Sequence, residues 1–524
     1  MWIPKQRIVI ALLGVCAALS AANVSVAQGV ADAGRPQGGA AAGFLNRKPL
    51  PPVVIPDSEY VVWPLTPAQA KYKDINGEHL KNDYVAQIVA ISEKSKADGN
   101  QYWGRISSTP YDKMTREWVM AQLNRIGIQQ VTDHPVDQKP MWFPTSWTAS
   151  VTSGGNTIPI RTAFALGGES TPAGGIDLPI VWVGLGTSAD FVGRDVKGKA
   201  VLIFDQPQPG RRENTALSLG AIERAKKSGA ALIILDLALP GMPDAVTQPV
   251  TGGGGEDAVS DSRMISMSPG ESDLVREMIG RGEQPMLHYE LTVTRKGGPT
   301  GVITGVLPGT TDENILIEAH MDSFFDGAAD NASGIAELLG LAEHYAKIPQ
   351  AQRRRNLIFM LNSDHHSGSA GLVWVRENMG AQLDKTVIDF NCEHPSETQF
   401  YQISGGLMSA NTVGAKRINL GGTNGTPLER DLIRNGFKSF GVAFYSRPDG
   451  GDGSGGNGFS NAPPRVGVID HILYHTSMDT PEWVPAIGIE RSAQAYASII
   501  DEVNKLNMNQ VRLPKEAQES QGGR

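Results

Sequence analysis

Downstream of Lys296, apolar strand-like runs alternate with helical segments, and this alternation limits the possible folds more than any other feature of the sequence. The apolar runs cover residues 314–318, 357–361 and 387–390, and the helical segments between them cover residues 331–348 and 371–379. In the first helical segment, Ile335, Leu339 and Ala342 recur at the spacing of one buried helix face. This order of elements predicts an α/β fold, with a mostly parallel, mixed sheet flanked by helices.

Side chains suited to metal binding follow each of the three predicted strands. They are His320 and Asp322 after the first strand, Asp364, His365 and His366 after the second, and Glu393 and His394 after the third. Because ligands of such sheets bind beyond the carboxyl ends of the strands, we expect these side chains to share one rim. Imidazole nitrogens and carboxylate oxygens without a thiolate suit Zn²⁺ or a similar divalent ion in an open catalytic arrangement. A single histidine at a strand end is usually structural, whereas three such clusters favour a metal site.

Three motifs resemble those of the M28 metallopeptidases, which are dinuclear zinc aminopeptidases and related carboxypeptidases. The motifs are Ala-His-Met-Asp-Ser at residues 319–323, Gly-Ala-Ala-Asp-Asn-Ala-Ser-Gly at residues 327–334, and Tyr-His-Thr-Ser-Met-Asp-Thr at residues 474–480. The resemblance covers residues 70–165 and 297–505. It implies a zinc exopeptidase-like fold, a catalytic domain at residues 61–165 and 297–510, and hydrolysis of peptide bonds by a metal-activated water.

The resemblance also implies five metal ligands for one or two zinc ions or another divalent metal. They are His320, Asp330, His366, Glu393 and His475. Asp330 matches the aspartate that bridges both ions, and we also expect it to cap the helix predicted at residues 331–348. Asp322 matches the carboxylate that orients the imidazole of His320.

The end of the second strand departs from the family pattern. M28 enzymes usually have two glutamates there, the first as general base and the second as metal ligand, whereas this chain has His365 and His366. Imidazole is a good zinc donor, so His366 can replace the carboxylate. His365 can in principle accept a proton, since the imidazole pKa of about 6.5 lies near working pH, but two nearby cations would make it a weaker base than glutamate. Asp364 is an alternative base.

With His366 in place of the second glutamate, the resemblance also implies which ligands share an ion. One ion would be held by Asp330, His320 and Glu393, and the other by Asp330, His366 and His475.

Residues 166–296 form a predicted insert between the two parts of the catalytic domain. Short β-like runs at residues 178–183, 200–204 and 231–235 are broken by Gly and Pro, and one helix is expected at residues 221–227. The insert resembles the protease-associated domain, and we expect it to be small and β-rich. Before it, the sequence predicts helices at residues 81–98 and 111–126 and a strand at residues 141–151.

The N-terminal residues predict export. Lys5 and Arg7 precede an apolar run at residues 8–22, and residues 25–27 offer a small-x-small cleavage pattern, so residues 1–27 are interpreted as a signal peptide. The mature chain would be periplasmic or secreted, with a linker at residues 28–60 and a polar tail at residues 511–524. No later stretch approaches the roughly 20 apolar residues of a membrane span. Cys392 is the one cysteine after the signal peptide, which excludes an intrachain disulfide.

These features favour an exported, metal-dependent exopeptidase of the aminopeptidase type, acting on a peptide or amide substrate. The net charge of −8 is spread without long like-charge blocks, which argues against nucleic acid as a partner. A catalytically impaired homologue that acts as a metal-containing binding protein is an alternative, because the pair of glutamates is missing. A hydrolase or cyclase of a non-peptide amide is a further alternative. The Gly-rich loop at residues 449–459 has two interpretations. It shapes the substrate pocket, or it is a surface loop without a role in the site.

Overall fold

The structure is a computed structural model. It describes residues 57–60, 62–207, 214–239, 241–249, 262–403, 406–413, 416–420, 424–445, 463–469 and 473–514. The predictions for the signal peptide, for most of the linker, for the loop at residues 449–459 and for the tail beyond residue 514 lie outside these residues. Within the described part of the chain, no helix combines the length and apolarity that crossing a membrane requires.

Sixteen β-strands are described, and they are labelled here in chain order. Their bounds are β1 Gln129–Ser153, β2 Asn156–Pro159, β3 Phe164–Gly167, β4 Ile176–Trp182, β5 Ala200–Asp205, β6 Leu232–Leu237, β7 Arg263–Met267, β8 Met286–Leu307, β9 Asn314–His320, β10 Asn356–Asn362, β11 Thr386–Asn391, β12 Thr398–Ile403, β13 Gly406–Val413, β14 Lys416–Leu420, β15 Phe444–Tyr445 and β16 Arg465–Ile469. Fourteen of the described strands are connected in one sheet, and β12 and β13 pair separately.

The large sheet has two parallel regions that are joined by long antiparallel strands. On one side β16, β11, β9 and β10 are parallel neighbours, and on the other side β4, β5, β6 and β7 are. β8 lies between the regions and is antiparallel to both β10 and β4. β1, of 25 residues, pairs with β8, of 22 residues, along nearly its whole length. One two-stranded ribbon therefore connects the catalytic region with the insert.

Twelve α-helices of four or more residues are described. Their bounds are α1 Ala86–Ala97, α2 Pro110–Ile126, α3 Ser188–Phe191, α4 Thr215–Ser218, α5 Ala221–Lys227, α6 Pro269–Gly280, α7 Gly334–Ala346, α8 Ala370–Asn378, α9 Gly380–Asp384, α10 Pro427–Ser439, α11 Ala486–Val503 and α12 Met508–Val511. The bounds of α2 follow from its sequence, because Thr109 caps its first turn, Pro110 occupies the first helical position, and Gly127 ends it in the left-handed conformation. A wider helical turn, Leu80–Val85, leads into α1.

The structure confirms the predicted α/β class with a mixed, mostly parallel sheet. The three apolar runs downstream of Lys296 form β9, β10 and β11, and the helix predicted at residues 221–227 is α5 with the same bounds. The insert contains more helix than its sequence indicated, since α3, α4 and α6 alternate with its parallel strands. The domain boundaries remain predictions, because β3 and β8 each continue through one of the predicted limits.

The prediction that Asp330 caps a helix at residues 331–348 is wrong. Asp330 and Asn331 lie in the irregular turn Ala328–Ser333 and have non-helical backbone angles (φ −111°, ψ 84° and φ −138°, ψ 34°). The regular helix α7 begins only at Gly334. The carboxylate of Asp330 is therefore available for contacts other than helix capping.

Two large hydrophobic cores include different parts of β8, the first Ile303 and Leu307 and the second Leu287 and Leu291. The first packs α1, α2, α7 and α11 against β9–β11, and Ile88, Leu338 and Ile500 are among its fully buried members. The second fills the insert, and it also includes Phe324 and Phe325, which follow shortly after β9. The loop that leaves β9 is thus packed into the core of the insert, so the candidate site described next lies against both regions.

Candidate metal centre

Three neighbouring parallel strands end side by side at the candidate site. β9 ends at His320, β10 at Asn362 and β11 at Asn391, and the strand register places His320 beside Asn362. Because the strands run in the same direction, the residues that follow them emerge at one edge of the sheet, where open α/β sheets bind their ligands. The sequence prediction of a shared rim therefore matches the arrangement of the strands.

Asp330 lies at the centre of the cluster, and each of its carboxylate oxygens faces a different pair of imidazoles. Oδ1 lies 3.1 Å from Nε2 of His320 and 3.1 Å from Nε2 of His394. Oδ2 lies 3.2 Å from Nε2 of His475 and 3.6 Å from Nε2 of His366. The five side chains are buried, with 7% or less of each exposed. Asp330 therefore has the geometry of a bridging ligand.

The two parts of the centre are called here the Oδ1 side and the Oδ2 side, after the oxygen of Asp330 that each one faces. Glu393 adds a further carboxylate to the Oδ1 side. Its Oε1 lies 3.8 Å from Nε2 of His320 and 4.0 Å from Nε2 of His394. The donor atoms of His320, Glu393 and His394 all lie within 4.8 Å of one another, as do those of Asp330, His366 and His475. The structure thus brings together all five ligands that the sequence predicted, in two groups that share Asp330.

These separations match those of ligands that share metal ions. Two donors that lie about 2.0–2.1 Å from one tetrahedral zinc ion are about 3.3–3.4 Å apart. The Nε2 atoms of His320, His366 and His475 are buried and make no hydrogen bond of normal geometry, although an oxygen of Asp330 lies within 3.6 Å of each. Buried polar atoms are rarely left in this state, so the donor set fits one divalent ion on each side of Asp330.

His394 is the functional residue that the sequence analysis did not include among the ligands. Neighbouring residues of an extended strand point to opposite faces, so an extended backbone would not bring Glu393 and His394 to one site. His394, however, follows the end of β11 and has a left-handed backbone (φ 48°), which turns its side chain toward Asp330. In the sequence, this role of His394 is indicated by its position directly after a predicted ligand at a strand end.

Asp322 holds several parts of the centre in place. Its Oδ1 accepts a hydrogen bond from the backbone N–H of His365 (3.0 Å), and its Oδ2 accepts one from the backbone N–H of His366 (2.8 Å). The same carboxylate lies 3.5 Å from Nδ1 of His320 and 3.3 Å from Nδ1 of His366. Asp322 is therefore placed to orient two imidazoles from behind, as outer carboxylates do in metal sites, and not to react itself.

His365 differs from the other imidazoles of the centre because it is partly open to solvent, with 35% of its side chain exposed. Its ring stacks on that of His320 with centroids 4.3 Å apart, and its Nε2 lies 3.9 Å from Oε1 of Glu393. Burial of the ring, followed by the charges of His320 and His366, lowers the pKa of His365 to about 3. The exposed part of the side chain weakens the effect of burial, and the downward direction leaves an uncharged imidazole at neutral pH.

Asp364, the alternative base, is directed at helix α8. Its Oδ2 accepts a hydrogen bond from the backbone N–H of Gly371 (2.8 Å), in the first turn of that helix, and its side chain is fully buried. Burial raises the pKa of Asp364 to about 7. These contacts are those of a helix-capping carboxylate. Of the two predicted bases, His365 is the one with a solvent-exposed side chain.

Opposite charges within the centre stabilise one another. Burial would raise the pKa of Asp330, but His366 and His394 hold it well below its usual range. Burial would lower the pKa of His320, but Asp322 and Asp330 raise it to about 10. Because imidazole must be neutral to bind a metal, an ion that enters the centre displaces such protons.

Asp479 fixes the backbone that carries Asp330. Its two carboxylate oxygens accept hydrogen bonds from the backbone N–H groups of Ala329 (2.7 Å) and Asp330 (3.0 Å). Gly327 makes room for the same turn, because its φ is +58° and a Cβ there would lie 2.5 Å from the carbonyl oxygen of Asp330. The motifs around Asp330 and His475 thus support each other directly.

Arg105 fixes the loop between His320 and Asp330. It is fully buried, and its guanidinium donates hydrogen bonds to the backbone carbonyls of Met321 (3.0 Å) and Gly327 (3.1 Å). Burial lowers the pKa of Arg105 to about 10 although nearby carboxylates oppose this. The sequence analysis did not single out this arginine, because its contacts with this loop join residues more than 200 positions apart.

Comparison with protein families identifies the part of the chain that carries β9, β10 and β11. Residues 302–397 match the model of Peptidase family M28. This segment includes His320, Asp330, His366 and Glu393, whereas His475 lies outside it. Among curated proteins, none matches the sequence at a significant level.

Solved structures share the fold over most of this chain. A peptidase M28 precursor from Shewanella amazonensis SB2B has a TM-score of 0.62 at 20% identity, over 83% of this chain and 95% of its own. BSAP, a zinc aminopeptidase from Bacillus subtilis, has a TM-score of 0.55 at 16% identity, over 85% and 97%. An aminopeptidase from Aneurinibacillus sp. strain AM-1 has a TM-score of 0.50 at 17% identity, over 85% and 96%. At these identities the likeness establishes the fold.

Proposed function

We propose that the chain is an exported, zinc-dependent exopeptidase of the aminopeptidase type, from the premise that residues 302–397 match the model of Peptidase family M28. The observation that carries the proposal is the position of Asp330, whose two carboxylate oxygens each face a separate pair of buried imidazole nitrogens. A carboxylate placed between two groups of nitrogen and oxygen donors can hold a pair of hydrolytic metal ions close together. The zinc aminopeptidases among the solved structures support the substrate class.

The proposed ligands form two unequal groups around Asp330. On the Oδ1 side they are His320, Glu393 and His394, and on the Oδ2 side they are His366 and His475. Divalent ions held there would polarise the carbonyl of the scissile bond and lower the pKa of a water molecule. The residues of the chain supply the rest of the reaction, because they fix the donors, exclude bulk water and move the proton.

His365 is the proposed proton acceptor. It is the imidazole of the centre with a partly exposed side chain, and a neutral imidazole has a free electron pair that can accept a proton. The ring is held by stacking on His320 and by the hydrogen bond from its backbone N–H to Asp322. After accepting a proton, His365 would donate it to the leaving amine, as general acid–base groups do in hydrolysis.

A catalytically impaired homologue that acts as a binding protein is the second candidate. The observation in its favour is that His365 also belongs to a group of three imidazoles, with His320 and His366, whose donor atoms lie within 4.8 Å of one another. If His365 binds an ion, it cannot accept a proton. Metal would then be present without turnover.

Export and the identity of the insert belong to the same proposal. The pattern of Lys5, Arg7 and the apolar run at residues 8–22 supports a signal peptide, with a periplasmic or secreted product. The resemblance of residues 166–296 to a protease-associated domain supports an accessory role for the insert. N-terminal sequencing of protein recovered from outside the cytoplasm should begin near residue 28.

The test of function measures metal content and hydrolysis on the same sample. Protein purified without chelator should contain at least one zinc or similar ion per chain and should cleave some member of a panel of aminoacyl amides and acyl-peptide amides. Metal-free protein whose melting temperature does not change when zinc is added would contradict the metal centre. Metal-loaded protein that cleaves no member of the panel would favour the binding protein.

A further inference from the structure

A segment of the insert pairs directly with the residues around His475. Thr247 and Thr476 form an antiparallel β-bridge, and the backbone N–H of Gln248 donates a hydrogen bond to the carbonyl oxygen of His475 (2.8 Å). The backbone N–H of Ser477 donates one to the carbonyl oxygen of Val246 (2.8 Å). This short pairing joins residues about 230 positions apart in the chain, and its partner segment comes from the insert.

The side chain of Gln248 reaches the imidazole itself. Its Oε1 lies 2.8 Å from Nδ1 of His475, and its backbone carbonyl oxygen lies 3.2 Å from the same nitrogen. Because Nε2 of His475 faces Asp330, a metal-binding neutral ring carries its proton on Nδ1. Nδ1–H then donates to Gln248, so the glutamine fixes the tautomer in which Nε2 has a free electron pair.

The backbone at His475 needs support from its surroundings. Its φ of 54° lies in the left-handed region, which is unfavourable for a residue other than glycine. The segment 245–248 provides that support with the hydrogen bonds described above. A small hydrophobic cluster supports the same contact, since Leu239 and Met242 of the insert pack with Leu473 and Trp483.

We propose that Gln248 is a positioning residue for His475, through which docking of the insert sets the metal affinity of the Oδ2 side of the centre. The inference rests on the proposed metallopeptidase function. Outer partners of metal-binding histidines typically change metal affinity by 10–100-fold when they are replaced. The insert is therefore part of the metal site and not only an accessory domain.

The experiment compares zinc binding by three variants and the wild-type chain, in competition with a chelator of known affinity. Gln248→Met keeps the volume of the side chain but removes the acceptor, so one of the two zinc equivalents should bind about 10-fold more weakly, the lower end of the range because the backbone carbonyl remains. Gln248→Glu keeps an acceptor and should bind zinc like the wild type. Gln284→Met, at an exposed position of the same insert, is the matched control and should change nothing.

A double-mutant cycle separates positioning from general destabilisation. In a His475→Ala background the imidazole is gone, so Gln248→Met should not weaken zinc binding further. The visible absorption of the cobalt-substituted protein should likewise change for one equivalent of metal. Wild-type affinity for both ions in Gln248→Met, or an equal loss in both backgrounds, would overturn the proposal. A wild-type chain that binds no zinc would instead overturn the proposed function.

Discussion

Nε2 of His394 lies as close to Oδ1 of Asp330 as Nε2 of His320 does, at 3.1 Å. With Glu393, the Oδ1 side therefore has four protein donors, whereas the Oδ2 side has three, from Asp330, His366 and His475. Zinc sites with four protein ligands are typically structural, and those with three keep a position open for water or substrate. The two sides of Asp330 are therefore expected to differ in affinity and in accessibility.

Replacing His394 should weaken the tighter of the two ions. In the wild type, stepwise titration of metal-free protein with zinc should show one strong and one weaker binding step. His394→Ala removes a proposed ligand, so the strong step should lose more than the 10–100-fold that is typical of outer partners. His365→Ala is the control, because it leaves the proposed donors intact. A titration curve of His394→Ala that superposes on that of the wild type would exclude His394 as a ligand.

Substitution of His366 should impair metal binding, whereas substitution of the adjacent His365 should impair turnover. His366→Ala should lower metal occupancy, because a donor on the Oδ2 side is lost. His365→Ala should keep the metal and lose turnover by roughly 10²–10⁴-fold, since a general acid–base group is removed. His365→Glu restores the family residue and should retain or raise hydrolysis. Elemental analysis measures the metal content of each variant, and steady-state kinetics measure its kcat. Undiminished kcat in His365→Ala would place the base elsewhere.

Asp364 should prove structural. Asp364→Asn still offers an oxygen to the backbone N–H of Gly371, so metal content and kcat should stay within about two-fold of wild type. Removal of a general base would instead lower kcat by roughly 10²-fold or more. Asp364→Ala removes the acceptor and should lower the free energy of unfolding by about 1 kcal/mol. Urea unfolding and steady-state kinetics measure the two effects. If Asp364→Asn keeps its metal but loses activity 100-fold, Asp364 is the base.

The buried carboxyl of Glu337 should make stability depend on pH. It lies on α7 with no exposed surface, and burial raises its pKa from 4.5 to about 8. Between these values the folded chain keeps the proton that the unfolded chain has lost, so this group lowers the free energy of unfolding by up to about 1.4 kcal/mol for each unit of pH increase.

Glu337→Gln removes this contribution and should therefore gain stability over the wild type as the pH rises. Urea unfolding of both metal-free proteins at pH 5, 6, 7 and 8 measures the difference. A constant difference between the two proteins across this range would show that Glu337 is ionised in the folded chain.

The order of strands and helices could be predicted because each element has a local signature. The runs at β9, β10 and β11 are short and continuously apolar, which is typical of buried strands. The capping residues Thr109 and Gly127 mark the ends of α2. Local signatures failed at Asp330, where a turn with non-helical angles replaces the start of a helix. Contacts with Asp479 hold that turn, and residue 479 is remote in the sequence.

The sequence by itself determined the α/β class and the strand ends that carry the centre, because hydrophobic periodicity and the direction of parallel strands leave few alternatives for where those residues emerge. The resemblance of its motifs to those of the M28 metallopeptidases implied five of the proposed donors. Tertiary structure decided that His394 joins these donors and that Gln248 of the insert contacts His475. Such contacts depend on backbone angles of single residues and on the meeting of segments more than 200 positions apart. Neither leaves a periodic pattern in the chain.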